Sequence, residues 1–325
     1  MTVKPARVAR VAIALLLTTG CGAGAIAPTN DYSSGTWSIV AVDVAAAEVG
    51  VALATCVPEN SRLSATAGGS GDDAGRMIYH VYIDSSLGDI ELARLLPGHG
   101  AIAAQAQGDP QNTERIDRVA SRLLAGASPQ DAIAAASSGD SSPDTRQYGV
   151  ATLAHGAANF TGSGNLDWAG AVSGPSISAQ GNILVGPAVV SAALEAFEEV
   201  MKQPDAALAD GLLAALEAGA REGGDKRCPR EQTALTAFVA VARTSEQGDS
   251  LSRWLTVPAQ RAGEQNPVTL LREAYDRGDS SPVEVNGMRS GWNTSLLGLP
   301  ALALILAVAG VVFWIGKKRG WGKSP

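Results

Sequence analysis

Hydrophobic residues alternate with small or polar residues in several short runs of the chain. The first two runs are Thr36 to Asp43 (TWSIVAVD) and Glu48 to Thr55 (EVGVALAT), separated by a short connection. A period of two residues is typical of strands, so this pair predicts a β-hairpin. The same reasoning predicts further strands at Ala101 to Gln107, Gln147 to Leu153, Ala157 to Thr161, Ile177 to Val185 and Thr233 to Val241.

Other segments place apolar residues three or four positions apart, which is typical of helices that pack on a core. Asn112 is a candidate cap for a helix that runs to about Leu124, and Ser128-Pro129 opens a second helix. Further helices are predicted at Ala188 to Met201, Ala206 to Glu222 and Val268 to Asp276. Strands and helices come in blocks, which predicts an α+β body with helices packed on sheets. The segment from Glu59 to Leu95 is predicted to be a long surface excursion.

The two ends of the chain have the pattern of an exported and anchored protein. A basic start, a short apolar run and small residues up to Ala27 predict a secretory signal over residues 1–27, and Cys21 is a candidate for lipidation. Residues 296–315 carry no charge, and about 20 such residues span a bilayer as a helix. The basic tail at 316–325 predicts a cytoplasmic C-terminus. We therefore expect a membrane-anchored envelope protein whose main domain is extracytoplasmic. The alternative is that the C-terminal segment is a sorting signal that a processing enzyme removes.

The remaining residues are divided into a body at 36–245 and a tail and linker at 246–294. The net charge of −7 and the scarcity of basic clusters argue against a nucleic-acid partner. With Cys21 discarded or lipidated, Cys56 and Cys228 form an even pair, which predicts a disulfide outside the cytoplasm. Two free buried thiols are the alternative. The three histidines lie far apart without a spaced second ligand, so no metal site and no cofactor is predicted.

The clearest candidate for chemistry is the Gly35-Thr36 junction at the start of the first strand of the body. If the chain were cut there, Thr36 would carry a free α-amine, which titrates near about 7.7–8.0. That amine can take the proton of the Thr36 hydroxyl and make it a nucleophile without a histidine. The alternative is a β-branched residue that merely opens a strand.

Several blocks of the chain, taken in order, resemble the Domain of Unknown Function 1028 family over about Thr36 to Arg243. They are TWSIVAVD, EVGVALAT, GAIAAQA, NFTGSG with Trp168-Ala169-Gly170, AQGNIL at 179–184, EGGDKR at 222–227 and QTA at 232–234. The resemblance implies a four-layer α-β-β-α sandwich of the N-terminal nucleophile (Ntn) hydrolase type. Such enzymes cleave amide bonds with an N-terminal Thr, Ser or Cys.

The resemblance also supplies candidate site residues. It carries over only Thr36, as the nucleophile. Asn182 and Asp225 lie in the shared blocks, where Asn182 is a candidate donor to an oxyanion and Asp225 a candidate carboxylate that fixes a positive partner such as Arg227. Gln180 and Gly181 lie in the shared blocks and are candidates for substrate binding. For each of the residues beyond Thr36, turn or cap chemistry is the alternative interpretation.

Two functions follow from these patterns. The first is a self-processing amide hydrolase that acts on a peptide or a cell-wall amide in the envelope. The second is an inactive, surface-displayed binding or adhesion module. Signal cleavage near Ala27 leaves residues ahead of Thr36, so the first function requires a further cut at Gly35–Thr36. The substrate and self-association into a homo-oligomer stay open.

Overall fold

The computed structural model describes residues 33–57, 61–69, 77–85, 88–109, 111–245 and 248–285. The predicted signal at 1–27, the membrane helix at 296–315 and the basic tail at 316–325 lie outside these residues and stay predictions. Among the described residues, no helix combines the length and the apolar character needed to cross a bilayer.

The elements follow one another in the order expected for an α+β protein. The strands are β1 (Ser33–Ser34), β2 (Thr36–Asp43), β3 (Glu48–Thr55), β4 (Arg62–Gly69), β5 (Met77–Ser85), β6 (Gly88–Leu96), β7 (Gly100–Gln107), β8 (Arg146–Thr152), β9 (Gly156–Thr161), β10 (Gly170–Ser173), β11 (Ile177–Asn182), β12 (Thr236–Arg243), β13 (Ser250–Val257) and β14 (Glu284–Val285). The helices are α1 (Asn112–Leu124), α2 (Pro129–Ala136), α3 (Ala188–Met201), α4 (Leu208–Arg221) and α5 (Pro267–Asp276), with a 3₁₀ turn at Pro143–Thr145.

The strands form two sheets. The six-stranded sheet has the order β10-β11-β2-β3-β12-β13 and is antiparallel throughout. The eight-stranded sheet has the order β14-β4-β5-β6-β7-β8-β9, with β1 paired to β7. Its pairs are antiparallel except for β14 with β4. Two antiparallel sheets with helices confirm the predicted α+β class.

Strand alternation places three apolar cores between four layers. On β2, Ile39 and Ala41 pack against α3 and α4, whereas Val40 and Val42 pack against the eight-stranded sheet. The outer face of that sheet contributes Ile102 to a third core with α1 and α2. Burial on both faces explains why β2 is almost uniformly apolar or small.

The structure corrects two expectations about the extent of the folded body. The predicted surface excursion at 59–95 contains β4, β5 and β6, because Tyr79, Val81 and Ile83 alternate with His80 and Tyr82 and bury one face. The predicted tail beyond residue 245 contributes β13, which pairs with β12, and α5, which packs on β13. The body therefore extends to residue 285.

The chain crosses from one sheet to the other just before β2. Ser33 and Ser34 pair with Gln107 and Ala106 of β7 in the eight-stranded sheet, whereas Thr36 pairs within the six-stranded sheet. Gly35 is thus the single residue that connects the two sheets at this end.

An ion pair between Asp140 and Arg146 makes the stability of the body depend on pH. Arg146 donates to the carboxylate of Asp140 through Nε at 2.9 Å and Nη2 at 3.1 Å. These hydrogen bonds lower the pKa of Asp140 from 3.8 to about 2. A carboxyl whose pKa is depressed by folding stabilises the fold above its unfolded pKa, and this contribution is lost as the pH falls toward the folded value.

We expect Asp140→Asn to lower the free energy of unfolding at pH 7 by on the order of 1–2 kcal/mol. The difference from the wild type should shrink as the pH falls from about 4 to about 2, the range set by the two pKa values. Urea unfolding at several pH values measures it, with the exposed Asp205→Asn as the matched control. A destabilisation that does not change over this range contradicts the assignment.

Candidate functional site

Thr36 opens β2 at the end of the layer between the sheets. Its side chain faces the eight-stranded sheet and the residue is 2% exposed. In the six-stranded sheet it lies opposite Thr55 of β3 and Asn182 of β11. The Thr36 hydroxyl donates to Thr55 Oγ1 at 3.0 Å, so the strand register orients the predicted nucleophile.

The carbonyl oxygen of Gly35, in the peptide bond before Thr36, is surrounded by donors. Thr55 Oγ1 donates to it at 2.7 Å, Arg227 Nη2 at 3.0 Å and the backbone N–H of Cys56 at 3.5 Å. Two of these donors are close, and one carries a positive charge. Such a set of donors stabilises the negative charge that develops on a carbonyl oxygen under nucleophilic attack.

Asp225 lies next to Gly35 and is completely buried. A glycine pair with positive φ, Gly223 and Gly224, ends α4 and turns the chain so that Asp225 forms an isolated bridge with Leu184. The Asp225 carboxylate accepts from Arg227 Nη2 at 2.6 Å and Nε at 3.0 Å. It also accepts from the Cys56 N–H at 3.2 Å. The structure thus contains the Asp225–Arg227 pair that the sequence analysis anticipated.

A disulfide joins Cys56 to Cys228, with 5.9 Å between the Cα atoms, and this confirms the predicted pairing. Cys56 follows Thr55 at the end of β3, and Cys228 follows Arg227. Arg227 Nη2 also donates to the carbonyl of Cys56 at 2.7 Å. The bridge therefore ties the segment that carries Asp225 and Arg227 to the strand beside Thr36.

Buried glutamines form hydrogen bonds to the backbone and side chains of the strand that carries Thr36. Gln105 of β7 donates through Nε2 to the Thr36 carbonyl at 3.2 Å and to Gln147 Oε1 at 2.8 Å, and it accepts from Ser38 Oγ at 2.6 Å. Gln180 donates to Ser38 Oγ at 2.7 Å. These side chains join both sheets directly behind Thr36.

Two of the predicted site residues have interior positions. Gln180 is completely buried, and a Cβ at Gly149 would come within 2.2 Å of its side chain, so the amide is tightly packed between the sheets. The Gly181 carbonyl accepts from Gln147 Nε2 at 2.9 Å. Both residues hold strands together in this structure, and their predicted role in substrate binding stays a prediction.

Sequence reasoning missed Thr55, Gln105 and Gln147. Thr55 and Gln105 follow small or apolar residues, Gln147 follows Arg146, and all three occupy inward-facing positions of buried strands. A polar residue at a core-facing position indicates a hydrogen-bonded network or a site, and this signal was available in the sequence.

The site is closed in the uncut chain. Two surface cavities, of about 340 Å³ beside Arg230 and about 460 Å³ beside Asn165, have linings that exclude Thr36, Asn182 and Asp225. Three residues other than glycine adopt positive φ in segments that contact the site, namely Ala106, Ile183 and Thr233. Backbone conformations of this kind concentrate at functional sites.

Comparisons with known proteins agree with this architecture. A crystal structure of a DUF1028 protein from Silicibacter pomeroyi is 25% identical, has a TM-score of 0.51 and covers 76% of this chain and 90% of its own. Eukaryotic HslV from Trypanosoma brucei is 13% identical over 57% of this chain and 90% of its own, with a TM-score of 0.29, which is too low to carry an argument. None of the curated proteins matches at a significant level. The model of the family of unknown function DUF1028 matches residues 36–268, which is more than half of the sequence. This chain therefore belongs to the DUF1028 family.

Proposed function

We propose that the body is a self-processing amide hydrolase of the Ntn type, with Thr36 as its nucleophile. The observation that carries the proposal is the Gly35 carbonyl, which lies beside the Thr36 hydroxyl and accepts from Thr55 at 2.7 Å and Arg227 at 3.0 Å. A threonine that only begins a strand does not need a charged hydrogen-bond donor to the preceding carbonyl. Helical layers on both sides of two sheets are consistent with the Ntn type.

The first reaction is an intramolecular cut. The Thr36 hydroxyl oxygen attacks the Gly35 carbonyl carbon, and Thr55 and Arg227 stabilise the charge on the carbonyl oxygen. The bond from that carbon to the Thr36 nitrogen breaks, an ester to Oγ1 forms, and the hydroxyl proton ends on the nitrogen. Water then hydrolyses the ester, which releases the chain that ends at Gly35, here called the leader, as a carboxylate and restores the hydroxyl.

The second reaction repeats this chemistry on a separate amide. The free α-amine of Thr36 accepts the hydroxyl proton and passes it to the leaving amine, as its ordinary titration near about 7.7–8.0 permits. Asn182 lies opposite Thr36 in the sheet register and is our candidate for a further donor to the oxyanion, beside Thr55 and Arg227. Asp225 holds Arg227 in place and acts as a positioning residue.

One observation favours the second candidate function, a binding or adhesion module without catalysis. Thr36 is 2% exposed in the continuous chain, so a separate substrate does not reach its hydroxyl there. For either function we propose an extracytoplasmic location with a C-terminal membrane anchor. The disulfide supports that location because such bonds persist in oxidising compartments.

The proposal predicts the first residue of the mature protein. We expect intact-mass analysis and N-terminal sequencing of the purified protein to find a chain that begins at Thr36. Material that begins at a signal-cleavage site and still contains Gly35 would favour the binding module. The same measurement on freshly synthesised and aged samples gives the rate of the cut.

A further inference from the structure

Residues 33–35, directly upstream of Thr36, lie beside the site as an extended peptide. Ser34 pairs with Ala106 of β7, which pairs on its other side with Arg146 of β8. Strand β6 pairs with β7 only at residues 100–103, so β1 occupies the strand position that β6 leaves vacant. The leader backbone is therefore bound by β-strand addition, a mode that also serves peptide recognition.

The residue before the cut has no room for a side chain. A Cβ built on Gly35 would lie 2.6 Å from Asp225 Oδ2 and 2.8 Å from its Cγ. Asp225 cannot turn away, because it is completely buried and bonded to the Arg227 guanidinium, the Arg227 N–H and the Cys56 N–H. The wall that Gly35 touches is therefore rigid as well as close.

Chemistry connects the leader to the substrate. Self-cleavage passes through an ester between the Gly35 carbonyl and Thr36 Oγ1. Hydrolysis of a separate amide passes through an ester between the substrate's acyl carbonyl and the same oxygen. The two intermediates are the same species when the acyl residue is glycine, so the place that holds the leader is also the place that holds the acyl part of a substrate.

We infer that the mature enzyme selects amides whose acyl residue is glycine, preceded by an extended peptide that pairs with Ala106 and Gln107. The inference rests on the proposed function and adds the substrate class to it. In the reaction, the amide bond after glycine breaks, an ester to Thr36 forms, and the leaving amine takes the hydroxyl proton. Water then releases a peptide that ends in glycine.

The test uses mature protein whose N-terminus has been shown to be Thr36. Two matched substrates, the aminomethylcoumarin amides of N-acetyl-Ser-Ser-Gly and N-acetyl-Ser-Ser-Ala, differ by one methyl group. We expect kcat/KM for the glycine substrate to exceed that for the alanine substrate at least about 100-fold, because the alanine methyl group meets the fixed Asp225 carboxylate. The free acid N-acetyl-Ser-Ser-Gly should also bind more tightly than its alanine analogue by calorimetry.

A second arm examines the chain itself. Gly35→Ala should slow self-cleavage at least about 100-fold, whereas Gly68→Ala is the matched control, since a Cβ there meets nothing within 4 Å. Circular dichroism checks that both variants fold. If Gly35→Ala does not fold, the comparison of the two peptide substrates on the wild-type enzyme still tests the selectivity for glycine.

The outcomes separate the two proposals. A purified chain that keeps Gly35 refutes the proposed function and this inference with it. A mature chain that begins at Thr36 but hydrolyses or binds the glycine and alanine peptides equally refutes only the inference. So does a mature chain that neither hydrolyses nor binds either peptide.

Discussion

Thr36→Ala is expected to leave the chain uncut and to abolish amide hydrolysis. The variant keeps the fold, because a small residue fits the buried start of β2, but it has no oxygen to attack the Gly35 carbonyl. We expect the rate of self-cleavage to fall by about 10³-fold or more, as for removal of other nucleophiles. Intact mass measured over days gives the rate of the cut, and hydrolysis of N-acetyl-Ser-Ser-Gly aminomethylcoumarin amide gives turnover.

Two variants control this experiment. Thr36→Ser keeps both the hydroxyl and the amine and should process within about tenfold of the wild type. Thr269→Ala removes an exposed hydroxyl from α5 and should have no effect on either reaction. Cleavage at Gly35–Thr36 in Thr36→Ala at the wild-type rate would show that another protein or another residue makes the cut.

Removal of the disulfide should be the most destabilising change away from the nucleophile. The bridge closes a loop of 172 residues, and loss of a bridge of this kind lowers the free energy of unfolding by about 2–5 kcal/mol. We expect the double variant Cys56→Ala, Cys228→Ala to unfold at a Tm lower by roughly 5–15 °C. Calorimetry or thermal circular dichroism measures the difference.

The same variant should also cut itself more slowly. The N–H of Cys56 donates to Asp225, and its carbonyl accepts from Arg227, so loosening this segment loosens the donors around the Gly35 carbonyl. A reducing agent should lower the Tm of the wild type but leave that of the double variant unchanged. If the double variant instead had the same Tm as the oxidised wild type, the disulfide would contribute nothing to stability.

Most helices and the central strands could be predicted because their signals are local. The Ser128 side chain caps α2 by accepting from the Asp131 N–H, and α3 has the predicted bounds Ala188–Met201. The missed strands have weaker local signals. β5 follows a glycine-rich segment, and β13 is an edge strand in which only Trp254, Leu255 and Val257 are buried, so its hydrophobic pattern is faint.

The candidate site was predictable only in part. The Gly35-Thr36 junction and the cysteine count are visible in the sequence, and so is the block that carries Asp225. The contact between Gly35 and Asp225 joins residues that lie far apart in the chain, and no local pattern encodes it. For the same reason the donors from Thr55 and Arg227 to the Gly35 carbonyl emerge only when the two sheets are assembled.

Because the Arg227 guanidinium donates to the Gly35 carbonyl, self-cleavage should form an anionic terminus beside a cation. Hydrolysis turns one neutral peptide group into an anionic terminus and a cationic terminus. The anionic terminus forms at the carbonyl group to which Arg227 already donates at 3.0 Å. The nascent carboxylate thus meets a counterion without rearrangement, so we expect the severed leader to dissociate faster as ionic strength rises.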